Sequence, residues 1–313
     1  MQRKENPNVS VIMNCLNCEK YVKEAIDSVY AQTFTDWEII FWDNASTDRS
    51  GEIAQSYDNR LRYFRGEKTV PLGAARNMAL RQAKGEFIAF LDSDDLWLPE
   101  KLRKQLPLFE RDSDIGLVFS DAIYFSDKGK RFQLYGNKKP PSGKIFPDLL
   151  KRYFLCLGTV VLKKDALIKI EEWFDERFTV AEEADIFMRI SYKWNCDYAD
   201  EPLVMYRMHE NNLTSLMSDR LPKESELILE KLLRLNANII SKYKHEIDVM
   251  KANIQYGYAM EDFKLNRRKM VRKRLTPYLI IKKKLWIPYF VSFLPFSFYK
   301  FLLLHFSRSV RIL

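Results

Sequence analysis

Along the first hundred residues, short apolar runs alternate with segments in which apolar residues recur at helical spacing. Short apolar runs typical of buried strands recur four times, at Val9–Met13, Glu38–Trp42, Leu61–Phe64 and Glu86–Leu91. Segments with helical periodicity or helix-end signals separate them, at Tyr21–Val29, Gly51–Tyr57 and Gly73–Lys84. This order predicts an α/β fold, in which a largely parallel, Rossmann-like sheet carries helices on both faces.

The pattern changes after Gly116. We predict a long strand at Leu117–Phe125, a helix near Ala184–Trp194 and a strand at Leu203–Met208. Beyond Pro222 the sequence favours helices, beginning with the apolar repeat of Ser225–Ile240. We therefore expect two domains, residues 1–218 and residues 219–313.

Polar residues follow three of the predicted strands. In an α/β sheet, ligands bind beyond the carboxyl ends of the strands, which here hold Asn14–Asn17, Asp43–Asp48 and Asp92–Asp95. Asp92 and Asp94, one residue apart, form an oxygen-rich pair suited to Mg²⁺ or Mn²⁺. A solvated acidic turn is the alternative for this stretch, with Asp95 as a helix cap.

Two further positions could face the same crevice. The carboxylate of Asp43 can accept hydrogen bonds from a nucleobase imide or a ribose hydroxyl, although a capping turn also fits. Arg76 and Asn77 lie in the first half of a predicted helix. Arginine binds phosphate through its planar fork of donors, while a surface position is the simpler alternative.

The excess of positive over negative charge lies in the C-terminal segment, residues 263–313. The chain has 51 Lys and Arg, of which 13 lie in residues 263–313, leaving 38 against 42 Asp and Glu elsewhere. We therefore expect no nucleic-acid partner. The apolar, aromatic residues 286–306 follow Lys282–Lys284, which favours attachment to an anionic membrane surface. A transmembrane helix, a helical packing layer and a homodimer interface are the alternatives.

The N-terminus lacks a signal-peptide pattern, so we expect no secretion. Four cysteines in 313 residues do not indicate a disulfide framework. Cys15 and Cys18 have a CxxC spacing, but no second pair completes a zinc site, and a thioredoxin-like redox role is the alternative. We expect all four to be thiols in a reducing cytoplasm.

Four motifs together resemble the family 2 glycosyltransferases that build bacterial surface glycans. They are Val9–Asn17 followed by Glu19, Trp42–Asp48, Gly73–Asn77 and Ala83–Asp95, and the resemblance extends from Val9 to Ser215. Asn14 and Cys15 replace the Pro-Thr that is usual in the family. The resemblance implies a GT-A fold and an inverting hexosyltransferase, located in the cytoplasm at the inner face of the membrane.

The same resemblance implies the site residues. Glu183, within Ala181–Asp185, takes the position of the catalytic base, with Glu182 and Asp185 as alternatives. The nucleotide-sugar contacts are Cys15, Asn17, Glu19, Asp43, Asn44, Arg76, Asp92, Ser93 and Arg207. The ligands of a divalent cation, Mn²⁺ or Mg²⁺, are Asp94, Asp92 and His209. The implied partners are a nucleotide-sugar donor, UDP-linked, and a glycan or lipid-linked acceptor.

Three other classes of protein share parts of this pattern. A phosphohydrolase could use Asp92 as its nucleophile, but such enzymes usually carry the motif near the chain start. A nucleotidyltransferase needs a glycine-rich phosphate loop, and Asn14–Asn17 is not one. A non-catalytic sugar-nucleotide binder fits the substitution of Glu for the usual Asp at Glu183.

Overall fold

The computed structural model describes residues 6–170, 172–236 and 238–294. Within them, the chain forms two compact units. The first consists of residues up to 146 together with residues 154–216, and the second of residues 147–153 together with those from 217 onward. The first unit contains the sheet and the acidic loop at Asp92–Asp95.

Among the described residues, nine strands form one sheet in the first unit. They are β1 (Val9–Cys15), β2 (Trp37–Asp43), β3 (Leu61–Arg65), β4 (Phe87–Phe90), β5 (Leu96–Trp97), β6 (Ile115–Phe125), β7 (Arg131–Gln133), β8 (Val161–Lys163) and β9 (Asn195–Arg207). The order along the sheet is β3-β2-β1-β4-β8-β6-β9-β5, and β7 pairs with the end of β6.

Six of these strands run in the same direction. β1 to β4 are parallel neighbours. Because β8 is antiparallel to both β4 and β6, strand β6 again runs in the direction of β4, and β9 is parallel to β6. The carboxyl ends of β1, β2, β3, β4, β6 and β9 therefore lie at one edge of the sheet, the carboxyl edge. The predicted α/β, largely parallel fold is confirmed.

Helices connect these strands. They are α1 (Val22–Tyr30), α2 (Ser50–Gln55), α3 (Leu72–Leu80), α4 (Lys101–Gln105), α6 (Lys164–Ile168) and α7 (Glu182–Lys193). Helix α5 (Phe146–Lys151) belongs almost entirely to the second unit, and α8 (Leu213–Leu216) follows the last strand. In α1, Val22, Ala25, Ile26 and Val29 are buried at the spacing of a helix face that packs on a sheet.

Helix α3 ends four residues earlier than predicted, at Leu80. The chain then turns into β4 through Gly85. A Cβ atom at Gly85 would lie 2.5 Å from the backbone nitrogen of Ser10, so the strand can approach β1 only without a side chain there.

Strand β9 is longer than predicted. The sequence indicated only Leu203–Met208, but the strand begins at Asn195. Its first half, Asn195–Pro202, is rich in polar residues and lacks a two-residue apolar period. It is extended because β6 lies beside it, and the register between the two strands shifts at Ser120–Ala122.

The second unit is helical. It contains α9 (Leu221–Leu235), α10 (Ile239–Lys242), α11 (Lys244–Lys264), α12 (Arg268–Leu275) and α13 (Trp286–Val291). Helix α9 starts earlier than predicted, with Pro222 in its first turn, where a missing N–H costs little. The second unit has a small hydrophobic core that contains Ala252, Ala259, Phe263, Val271 and Leu275.

In the part of the chain that the structure describes, no helix has the length and apolar character needed to cross a membrane. The apolar segment 286–306 is described only as far as Leu294. Residues 295–306 lie outside the described residues, as do the last seven residues of the chain.

The cysteines differ from the prediction in one respect. Cys15 and Cys18 are joined by a disulfide, so the expectation of two thiols there is wrong. The turn after β1 brings their Cα atoms to 6.0 Å, within the range that a disulfide spans. Cys156 and Cys196 are buried thiols, as predicted.

Candidate active site

The acidic loop begins where β4 ends at the carboxyl edge. The hydroxyl of Ser93 donates a hydrogen bond of 2.7 Å to the carbonyl of Asn14, which ties the loop to the end of β1. The backbone N–H of Asp95 donates to the carbonyl of Asp92, closing a tight turn. Strand β5 follows at Leu96, so Asp95 is not a helix cap.

Arg76 joins the acidic loop to the start of α7. Its Nη2 donates to Oδ1 of Asp92 over 2.9 Å, and its Nη1 donates to Oε1 of Glu182. Arg76 is only 3% exposed, and its charge also interacts with that of Glu183. The sequence suggested a phosphate contact at Arg76. In this structure the guanidinium instead holds two acidic elements together.

Asp94 pairs with His209 on the other side of the loop. The Nε2 of His209 lies 2.9 Å from Oδ2 of Asp94. Burial and the neighbouring charge of Asp92 raise the pKa of Asp94, while His209 acts in the opposite direction. The backbone N–H of His209 donates to the side chain of Asn212 over 2.6 Å, which fixes the residue after β9.

Arg207, at the end of β9, binds the acidic loop at Asp94 and Asp95. Its Nε donates to the carbonyl of Asp94 over 2.9 Å, and its backbone N–H donates to Oδ1 of Asp95 over 2.8 Å. The guanidinium also binds Glu24 and Asp127. It lies over the ring of Tyr21, 4.4 Å from the centroid, and that of Phe125, 4.7 Å away. Arg207 is therefore positioned to hold the acidic loop.

Asp43 is fully buried at the end of β2. Its Oδ1 accepts from the backbone N–H of Ser46 over 2.7 Å. Its Oδ2 accepts from the hydroxyl of Tyr63 over 2.6 Å and from Nη1 of Arg65 over 2.8 Å. Arg65, whose side chain is 50% exposed, is the cation that sequence reasoning missed at this edge. Its position at the end of β3 was the available signal.

The loops after β1 and β2 are bonded to each other. Asn17 has a positive φ of 55°, and its Oδ1 accepts from the backbone N–H of Thr47. Glu19 accepts from the backbone N–H of Arg49. With the disulfide of Cys15, these contacts shape one continuous surface at the carboxyl edge.

Asn44 is buried next to this surface. Its Nδ2 donates to the carbonyl of Val70 over 2.8 Å, and its Oδ1 accepts from the N–H of Val70 over 3.1 Å. Asn77, on α3, forms the same pair of hydrogen bonds with the backbone of Phe174: its Nδ2 donates to the carbonyl, and its Oδ1 accepts from the N–H. Both amides therefore hold segments that border the site.

The three acidic residues at the start of α7 differ in exposure. Glu182 is 4% exposed and bound to Arg76, and Asp185 is fully buried and bound to Arg189 over 2.7 Å. Glu183 is partly exposed. Arg189 also donates to the carbonyls of Glu172 and Trp173, so Asp185 and Arg189 hold the segment before the helix.

The described residues do not form a complete metal site. Among them, no group of three or more His, Cys, Asp or Glu side chains has the geometry to hold a metal ion. Asp94 and His209 supply an adjacent carboxylate and imidazole, a donor pair that suits Mn²⁺. One oxygen of Asp92 accepts a hydrogen bond from Arg76, although the side chain of Asp92 remains 36% exposed.

Comparisons with known proteins place this chain in a family. The sequence model of Glycosyl transferase family 2 matches residues 10–171. An uncharacterized glycosyltransferase of Methanocaldococcus jannaschii is 31% identical over 225 residues, which cover 69% of this chain and 77% of that protein. The Escherichia coli UDP-Glc:alpha-D-GlcNAc-diphosphoundecaprenol beta-1,3-glucosyltransferase WfaP is 26% identical over 241 residues, covering 77% and 93%.

Solved structures share the fold. The Staphylococcus aureus protein TarS (1–349) in complex with UDP-GlcNAc superimposes with a TM-score of 0.67 at 20% identity, covering 89% of this chain and 82% of that one. The Pyrobaculum calidifontis mannosyltransferase PcManGT in complex with GDP-Man and Mn²⁺ gives a TM-score of 0.61 at 16% identity, covering 88% and 76%. This chain has the GT-A fold and is a glycosyltransferase that belongs to family 2.

Proposed function

We propose that this enzyme transfers a sugar from a nucleoside-diphosphate sugar, with UDP as the nucleotide, to a hydroxyl group of a glycan or lipid-linked saccharide. The observation that carries the proposal is the position of Arg76, which binds both Asp92 of the acidic loop and Glu182 of α7. A donor diphosphate at the loop and a base at the start of α7 would thereby be neighbours. Transfer in one displacement requires that arrangement.

The nucleotide binds at the carboxyl ends of β1 and β2 in this proposal. The backbone of Cys15 to Asn17, together with Glu19 and Asn44, shapes the surface for the nucleobase. Asp43 acts by orienting Arg65, because its carboxylate is buried and already accepts three hydrogen bonds. The exposed part of Asp92, with Ser93 beside it, faces the ribose.

Asp94 and His209 would hold a divalent cation, Mn²⁺ or Mg²⁺, with Asp92 as the nearest additional oxygen donor. Diphosphate oxygens and water would complete the coordination. When bound, such a cation neutralises the charge that develops on the departing diphosphate. Arg207 donates to the carbonyl of Asp94, and its own carbonyl accepts from the side chain of Asn212, which also binds the backbone of His209. Arg207 therefore supports this site without contacting the donor.

Glu183 is the residue proposed to accept a proton from the attacking hydroxyl. It is partly exposed, whereas Glu182 and Asp185 are almost fully buried beside arginines. As the acceptor oxygen bonds to the anomeric carbon, the bond from that carbon to the diphosphate oxygen breaks on the opposite face. A single displacement inverts the anomeric configuration.

The names of relatives support the proposed acceptor and cellular setting. WfaP is named for a GlcNAc-diphosphoundecaprenol acceptor, and we extend that class of acceptor to this enzyme. The enzyme would act in the biosynthesis of cell-surface polysaccharide or lipopolysaccharide. Residues 1–218 would form the catalytic domain, and residues 219–313 would attach it to the cytoplasmic face of the membrane.

Helix α13 and the turn after it support this attachment. Trp286, Ile287, Phe290, Phe293 and Leu294 are exposed at helical spacing, so they share one face, the α13 face. Lys283 and Lys284 precede it, and the guanidinium of Arg272 lies 4.4 Å from the ring of Phe293. Exposed aromatic residues beside basic ones suit the surface of an anionic membrane.

A panel of UDP-, GDP- and dTDP-sugars with Mn²⁺ or Mg²⁺ tests the proposed function. We expect one UDP-sugar to raise the thermal unfolding midpoint and to release UDP when a GlcNAc-diphosphate acceptor is added. Chelation of the metal should suppress both effects. If no nucleotide sugar stabilises the protein or is consumed, the proposed function is wrong.

A further inference from the structure

An aromatic row crosses three neighbouring strands at the carboxyl edge. It consists of Phe132 on β7, Tyr124 on β6 and Tyr206 on β9. Tyr124 is the register partner of both other residues. The ring centroids of Tyr124 and Phe132 are 5.1 Å apart, and those of Tyr124 and Tyr206 are 4.6 Å apart. All three side chains are partly exposed.

The row begins next to the acidic groups of the active site. Tyr206 directly precedes Arg207, whose backbone N–H binds Asp95. Burial raises the pKa of Tyr206, and the charges of Asp95, Asp92 and Asp94 raise it further. Burial also raises the pKa of Tyr124, with contributions from Glu183 and Asp95. The row therefore runs from the neighbourhood of Glu183 and the acidic loop outward to β7.

The hydroxyl groups of Tyr124 and Tyr206 form no hydrogen bond among the described residues. Both Oη atoms remain accessible to solvent. By contrast, the hydroxyl of Tyr135, also near β6, donates to the carbonyl of Phe154 over 2.8 Å. Cross-strand packing needs only the rings, and phenylalanine would supply them. The two hydroxyls require another explanation.

A saccharide has the complementary chemistry. The C–H face of a sugar ring packs on an aromatic ring, and its hydroxyl groups form hydrogen bonds with a phenol that can both donate and accept. The row spans two strand spacings, about 10 Å, a length suited to more than one sugar unit. The negative charges at its inner end do not favour a phosphate ligand on the row itself.

We propose that Phe132, Tyr124 and Tyr206 form the binding site for the acceptor saccharide. The sugar that carries the attacking hydroxyl lies on Tyr206 and Tyr124, within reach of Glu183, and the saccharide extends towards Phe132. This inference rests on the proposed function, because it assigns the acceptor to the side of Glu183 away from the donor.

Two variants and a matched control test the site. Tyr124→Phe removes one hydroxyl and keeps the ring, and Phe132→Ala removes a ring from the outer end. Tyr198→Phe is the control, since Tyr198 also lies on β9 and is partly exposed, but the charges near it are those of Asp121 and Asp200. The acceptor probe is a disaccharide of GlcNAc with a short alkyl chain and no phosphate, which is long enough to contact both Tyr206 and Phe132, and the donor-site probe is UDP with Mn²⁺.

We expect Phe132→Ala to weaken acceptor binding about tenfold and Tyr124→Phe about fivefold, measured by saturation-transfer NMR without donor and by the KM for the acceptor. The dissociation constant of UDP should stay constant, and Tyr198→Phe should match the wild type. Unchanged acceptor binding in both variants, no acceptor binding by the wild type, or equal loss of UDP binding would overturn the inference. Because the NMR experiment needs no donor, a failure of the donor panel is distinguishable from a failure of this site.

Discussion

The imidazole Nε2 of His209 lies 2.9 Å from Oδ2 of Asp94, although 115 residues separate them in the chain. The contact exists because β9 is parallel to β6 and both end at the carboxyl edge, where β4 releases the acidic loop. Arg207, two residues before His209, donates a hydrogen bond to the carbonyl of Asp94. The end of β9 therefore sets the geometry of the proposed metal ligands.

Arg76 should contribute strongly to stability as well as to the site. Its side chain is 4% exposed and bridges Asp92 and Glu182, so Arg76→Ala would leave Glu182 buried without its cation. We expect a loss of about 3 kcal/mol in the free energy of unfolding, measured by urea denaturation.

Arg60 provides the matched control for Arg76. It pairs with Asp58 at the surface, where the side chains are 36% and 50% exposed, and its guanidinium lies 4.6 Å from the ring centroids of Tyr30 and Trp37. Arg60→Ala should therefore cost about 1 kcal/mol, well below the loss for Arg76→Ala. Similar losses in the two variants would show that Arg76 is not a buried bridge.

The order of the first four strands and the acidic loop could be predicted because the signal for each element lies within its own residues. Apolar runs mark β1 to β4, and Asp92–Asp95 follows the last of them directly. The role of Arg76 could not, since its partner Glu182 lies 106 residues away and only the tertiary fold brings them together. The first half of β9 was missed because its conformation comes from pairing with β6.

The four cysteines should differ in reactivity. Burial raises the pKa of Cys196 to about 12 and that of Cys156 well above its usual value, which keeps both as protonated, unreactive thiols at neutral pH. We expect a thiol reagent to label neither residue in the native protein, to label both after unfolding, and to label Cys15 and Cys18 only after reduction. Labelling of Cys15 in the unreduced, unfolded protein would contradict the disulfide.

The α13 face should bind anionic membranes. Phe290 is 59% exposed on that face, and Phe290→Glu should reduce co-sedimentation with phosphatidylglycerol vesicles by about tenfold, because a phenyl ring no longer enters the interface. Binding by the wild type should weaken as salt is raised and should be slight with phosphatidylcholine vesicles.

Ile168 is the control for this variant. It is an apolar residue on α6 in the first unit and is 58% exposed, so Ile168→Glu should leave vesicle binding unchanged. If Phe290→Glu instead converts a dimer to a monomer in light scattering and leaves vesicle binding intact, the α13 face is a homodimer interface.

The division of work between the acidic loop and the start of α7 is the central claim, and titration of UDP in the presence of Mn²⁺ tests it most directly. Asp94→Asn should weaken this binding at least about tenfold, because it removes a metal ligand. Glu183→Gln should bind UDP as the wild type does while its sugar transfer falls about 100- to 10,000-fold, because only the proton acceptor is lost. Equal loss of UDP affinity in the two variants, or wild-type transfer by Glu183→Gln, would contradict the account.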